Sequence, residues 1–77
     1  MLSLTPTQGR YVQAFPLHNS QQLFSQSETE ARIRLRLFDT YDLRMELLSM
    51  GEEVKVLAPS SLREWMNQTY KVVAASY

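Results

Sequence analysis

The chain has 77 residues, 44% of them apolar and 21% charged, with eight basic and eight acidic side chains, one histidine and no cysteine. That is room for a single hydrophobic core, too apolar for a disordered chain and yet marginal alone, so a neighbouring domain or second subunit is expected. The balanced charge argues against a dedicated nucleic-acid binder, the missing thiols exclude disulfides and zinc-thiolate sites and fit a reducing compartment, and the short apolar runs fall well below a membrane span. With no signal-peptide pattern at its start, the chain is expected to be cytoplasmic.

Residues 1–4 read as a short strand. Thr5-Pro6-Thr7 opens a helix over 6–14, with Thr5 as cap and Pro6 where a missing N–H costs nothing. Tyr11, Val12 and Phe15 are its expected apolar contacts, Gly9 weakens it, and Pro16 ends it. Residues 17–27 are rich in Ser and Gln, with Leu23 and Phe24 as anchors, and suit an exposed edge strand; Glu28-Thr29-Glu30 supplies a turn. Residues 31–38 carry the clearest pattern. Ala31, Ile33, Leu35 and Leu37 alternate with Arg32, Arg34, Arg36 and Phe38, the period of a strand with one buried face.

Asp39 or Thr40 caps a second helix whose stripe is Leu43, Leu47 and Met50, with Leu48 beside it, and Gly51 stands where a helix turns off. Residues 53–57 form a strand with Val54 and Val56 on one face, closed by Ala58-Pro59. A third helix begins at Ser60 or Ser61, and Ser61 and Glu64 have the spacing of a capping box. Leu62, Trp65, Met66, Thr69, Tyr70 and Val73 make a wide stripe along it. The order β-α-β-β-α-β-α predicts one domain over residues 1–77 of α+β class. The expected plan is a ferredoxin-like antiparallel sheet with two helices on one face and an extra C-terminal helix packed elsewhere.

No G-x-S-x-G, H-E-x-x-H, Walker or G-x-G-x-x-G pattern is present, so a non-enzymatic protein without cofactor or metal is expected. His18, the one histidine, either bonds backbone at the junction between helix and strand or contacts a ligand. The carboxylate pairs Glu28/Glu30 and Glu52/Glu53 fall in turns and read as solvated charges. Arg32, Arg34 and Arg36 are the most informative polar feature, because alternate residues on one strand face lie roughly 7 Å apart. They are a solvated outer face, a surface docked on an acidic neighbour, or a contact for an anionic ligand or nucleic acid. Only Phe38 and Phe24 could stack bases beside them, which is thin for an RNA-reading sheet. Trp65, Tyr70 and Val73 are either core or interface.

Two segments resemble a known family. The run from Leu48-Ser49-Met50-Gly51 through Leu57-Ala58-Pro59 to Leu62-Arg63-Glu64 is similar to the end of WYL-domain proteins. There a helix closes in an apolar-small-aromatic-Gly turn, followed by a strand, Leu-x-Pro and a helix opening Leu-Arg-Glu. Pro16-Leu17-His18-Asn19-Ser20-Gln21 resembles the Pro-Leu-His-x-Ser-Gln segment of the same region, the WYL C-terminal extension or WCX. Met50 stands where the family often has Phe, and Ala58 where it often has Glu. The resemblance implies a regulatory and dimerising module of a bacterial transcriptional regulator that couples ligand or nucleic-acid sensing to DNA binding. The partners it implies are a winged helix-turn-helix that binds DNA and a WYL domain, both outside this fragment, and a second copy. An ACT-like small-molecule sensor, and single-stranded nucleic-acid contact through Arg32, Arg34 and Arg36, are the rival expectations.

Overall fold

Alternation along three short strands builds one apolar surface. The computed structural model describes residues 1–36 and 39–77. It contains β1 (Leu2–Leu4), α1 (Pro6–Ala14), β2 (Gln22–Gln26), β3 (Ala31–Arg34), α2 (Tyr41–Met50), a 3-10 turn (Gly51–Glu53), β4 (Val54–Val56) and α3 (Ser60–Ala75). The chain is therefore α+β, with three helices and a four-stranded antiparallel sheet ordered β2-β3-β1-β4. β1 is central: Leu2 lies opposite Ile33 and Val56, and Leu4 opposite Ala31 and Val54. Those six side chains share one face and are all buried.

All three helices cover that face. Val12 from α1, Leu47 from α2, and Leu62 and Met66 from α3 join the strand residues in one cluster. The expectation that α3 packs elsewhere is thus corrected: its Leu62/Met66 stripe closes over Val54 and Val56, the strand that precedes it. No helix among the described residues is long and apolar enough to cross a membrane.

Local chemistry sets the helix starts. The Thr5 hydroxyl accepts from the Gln8 N–H at 3.3 Å and donates to the Glu53 carboxylate, so one residue caps α1 and ties it to the approach to β4. Thr40 caps α2 by accepting from the Leu43 N–H at 3.2 Å. Gly51 follows with φ 58°, a left-handed conformation that a side chain would resist. The Ser61/Glu64 capping box does not form. Pro59 takes the cap position, which leaves Ser61 inside the helix.

Within α1 only Val12 and Gly9 turn fully inward. Tyr11 and Phe15, expected as core contacts, are 59% and 66% exposed and instead pack on each other with ring centroids 5.2 Å apart. Gly9 has a positive duty: a Cβ there would lie 2.7 Å from the Ala31 Cβ, so its absence lets α1 settle close on β3.

Both strands of the β2–β3 hairpin are shorter than the sequence suggests. Residues 17–21 form a turn, and β3 ends at Arg34; Leu37 and Phe38, the last two positions of the expected strand, lie outside the described residues. The reason is a side chain. The Arg36 N–H donates to the Ser20 hydroxyl oxygen at 2.9 Å, so a turn side chain takes the bond a ladder would supply. β2 is an exposed edge, as its composition suggests, and the register shifts between Leu23 and Ser25, leaving Phe24 as the bulged residue.

Candidate functional site on the outer face of the sheet

With the helices on one side, the other side of the sheet is left to Ser3, Arg32 and Lys55 in one cross-strand row, and to Arg34 beside Gln22. The arginine stripe is not uniform. Arg32 Nε donates to Glu30 Oε1 at 3.0 Å, and the Ser3 hydroxyl donates to the other carboxylate oxygen. The Ser3 bond first, then Arg32, with Lys55 more distant, hold the Glu30 carboxyl below its ordinary range against a desolvation that raises it. Glu30 is therefore the counter-charge that neutralises Arg32, rather than a free turn carboxylate. Glu53, held by Thr5, has likewise left the solvated role the sequence suggested.

Arg34 has a different partner. Its guanidinium carbon stands 5.2 Å from the centroid of the Phe24 ring, which the bulge in β2 brings onto this face. Among the described residues no carboxylate pairs with Arg34. Arg36 is exposed but off the strand, so it does not continue the row.

His18 and Arg36 meet through Ser20. His18 Nδ1 accepts from the Ser20 N–H at 3.1 Å and from its hydroxyl at 2.8 Å, while the same hydroxyl oxygen accepts from Arg36. With Nδ1 used as an acceptor, the neutral ring carries its proton on Nε2. Gln21 completes the turn: its amide donates to the Val12 carbonyl at 2.8 Å and its oxygen accepts from the Leu17 N–H at 3.0 Å. The first bond satisfies a carbonyl in the last turns of α1 that has no helical partner. Leu17 packs against the core. In the Pro16–Gln21 segment the side chains of His18, Ser20 and Gln21 thus all bond backbone.

The stripe on α3 divides in the same way. Trp65 is partly buried, and Arg44 lies 4.5 Å above its ring while binding Asp39 through two bonds of 2.8 and 2.7 Å. Those bonds lower the Asp39 pKa and raise that of Arg44. Tyr70 donates to the Gly51 carbonyl at a long 3.5 Å. Val73 is 46% exposed and stands with Val72 and Tyr77 on the outer end of the helix. Trp65 and Tyr70 are thereby engaged within the chain, whereas Val73, one helical turn beyond Tyr70, stays largely exposed. Among the described residues no group of three or more His, Asp or Glu is placed to hold a metal.

Sequence reading passed over Arg44 and took Glu30 for a solvated turn charge. A signal existed for Glu30, since it and Arg32 stand two apart and so share a strand face; for Arg44 none did, because its partners lie in a loop and another helix.

The family model of the WCX domain matches this chain over residues 1–74. No curated protein and no solved structure matches it.

Proposed function

The chain belongs to the WCX family, the C-terminal extension of WYL-type regulators, and from that premise we propose that it is a non-enzymatic regulatory and dimerisation module acting in the cytoplasm. In this reading it couples sensing by the regulator to DNA binding elsewhere in the molecule. The observation that carries the proposal is the family match, which spans nearly the whole chain. The architecture supports it. Three helices load one side of the sheet, and the opposite side, with Arg34 and Phe24, stays open for a partner. Read from its other edge the strand order is β4-β1-β3-β2; with α1 and α2 as the crossovers, we take this as the ferredoxin-like plan. An experimental structure with another order would overturn that reading.

The test of function is sedimentation of the full-length regulator with and without this segment, alongside its DNA-binding response. Loss of assembly or of the response is expected on deletion. Unchanged assembly together with unchanged response would refute the role.

A second reading, contact with an anionic or single-stranded nucleic-acid effector, is favoured by the Arg34 guanidinium lying over Phe24 without a carboxylate partner. Such binding would weaken steeply with salt. It should fall in the variant carrying Arg32→Ala, Arg34→Ala and Arg36→Ala; equal affinity of variant and parent ends this reading.

A further inference from the structure

We propose that the groove between β4 and α3 takes an extended peptide as a fifth strand, and that the peptide carries an acidic residue flanked by apolar ones. This site stands at the β4 edge, away from the β2–β3 hairpin that carries Arg34, and either proposal can fail without the other.

The argument begins with main-chain bonds. In an antiparallel pair, residues alternate between those whose N–H and C=O face the neighbour and those whose groups face away. The Glu53 carbonyl accepts from the Thr5 N–H at 3.0 Å, and the Leu57 N–H donates to the Met1 carbonyl at 2.9 Å. Lys55 stands opposite Ser3 between them. Positions 53, 55 and 57 therefore face β1, and the N–H and C=O of Val54 and Val56 point outward from the edge of the sheet. Backbone groups in this position require a partner, and an edge strand offers them as a template.

The edge is not bare sheet. From α3, Ser60, Arg63, Glu64, Met66, Asn67 and Tyr70 line a cleft of about 570 Å³ with Val54 to Leu57, Arg63 and Glu64 contributing opposite charges to its helix side. A strand edge beside a helix is the geometry in which an added strand gains main-chain bonds from the edge and side-chain selection from the helix.

Alternation then fixes the chemistry of the occupant. Peptide residues bonded to Val54 and Val56 turn their side chains to the helix side, over Met66 and Tyr70, where apolar groups fit. The residue between them faces Lys55 in the closer, non-hydrogen-bonded type of pair, with its side chain on the outer face. Opposite charge across such a pair is favourable and like charge is not. A carboxylate is selected, because among the described residues Lys55 has no carboxylate within 4.0 Å and acts on Glu30 only from farther off. The same reasoning disfavours a second copy of this chain. Two β4 edges related by a two-fold through position 55 would set Lys55 against Lys55.

The test is NMR titration of the isotopically labelled chain with two blocked pentapeptides, threonine-valine-glutamate-valine-threonine and its counterpart with lysine for glutamate. The glutamate peptide should shift the amides of Val54, Lys55 and Val56 with those of Asn67 and Tyr70, and should slow exchange of the Val54 and Val56 N–H. It should bind about fivefold or more tightly than the lysine peptide, and Lys55→Glu should reverse that order. Methylating the backbone nitrogens of both peptide valines should cost about tenfold, because the strand bonds go with them. Silence up to about 1 mM, equal affinity for both peptides, or shifts confined to the β2 edge would each overturn the proposal. Protection of the Val54 and Val56 amides that rises with protein concentration and no peptide would also overturn it, in favour of a second copy.

Discussion

The two faces of the sheet are made by neighbouring residues of the same strands, and they obey different rules. On the inner face Leu2, Leu4, Ala31, Ile33, Val54 and Val56 are held by burial under three helices. On the outer face Ser3, Arg32 and Arg34 are held by charge and hydrogen bonds, Arg32 to Glu30, Ser3 to Glu30 and Arg34 to Phe24, and Lys55 stands exposed beside them. Burial is worth kilocalories per side chain, whereas exposed ion pairs and cation–π contacts are worth about 1 kcal/mol or less. The consequence is a separation of roles. Inner residues can be altered only at the cost of the fold, and outer residues can be altered with the fold intact, which is what a binding face needs.

Substitution can break this contrast. The largest effect is expected at Ile33, which is wholly buried. Ile33→Ala removes buried methylenes and leaves a cavity, costing about 2–5 kcal/mol, enough to unfold much of a domain this small. Denaturant midpoints read it. Next is Gly9→Ala. Helix propensity alone favours alanine by about 1 kcal/mol. The 2.7 Å approach to the Ala31 Cβ reverses the sign, for a net loss of about 1–3 kcal/mol by thermal unfolding. A stabilised Gly9→Ala variant would mean that α1 does not press on β3.

Thr5→Val keeps the shape of the side chain but removes both the α1 cap and the bond to Glu53. A cost of about 0.5–2 kcal/mol is expected. Acid sharpens the comparison, through Glu30 on the outer face and Asp39 on the helix side beside Arg44. Glu30 and Asp39 have carboxyl pKa values lowered in the folded state. Their contribution is present above the unfolded carboxylate range and is lost as pH falls through the lower folded values. Stability should therefore decline on the acid side, and Glu30→Gln and Asp39→Asn should each flatten that decline in melts followed against pH. The smallest effect is at Arg34, where Arg34→Ala should change stability by no more than about 0.5 kcal/mol. A large loss there would show that the outer face carries the fold.

How much of this could be read from sequence depended on how local each cause was. The bounds of α1 follow from Thr5, Pro6 and Pro16, all within the segment, and the sequence expectation and the structure agree on residues 6–14. The end of β3 was hidden because it is set by Ser20, sixteen positions before the Arg36 N–H it binds. Tyr11 and Phe15 looked inward because a short helix offers several apolar directions, and only the close approach of Gly9 to Ala31 chooses among them. The alternation of Arg32, Ile33 and Arg34 placed the outer-face residues correctly. Their individual states depended on a hairpin bulge at Phe24 and a carboxylate at Glu30 that alternation does not show. The free groups of β4 were equally invisible, since which positions face outward depends on register with β1.

The central claim is that adjacent residues of β3 belong to opposite environments, Ile33 in the core and Arg32 and Arg34 on an uncovered face. The chain has no cysteine, so single thiols report without background. The measurement is the rate of thiol labelling under native conditions in Arg32→Cys, Ile33→Cys and Arg34→Cys. Fast labelling at 34, intermediate labelling at 32 beside Glu30, and labelling at 33 only through unfolding are expected. Labelling at 33 as fast as at its neighbours, in a variant shown to remain folded, would contradict the account.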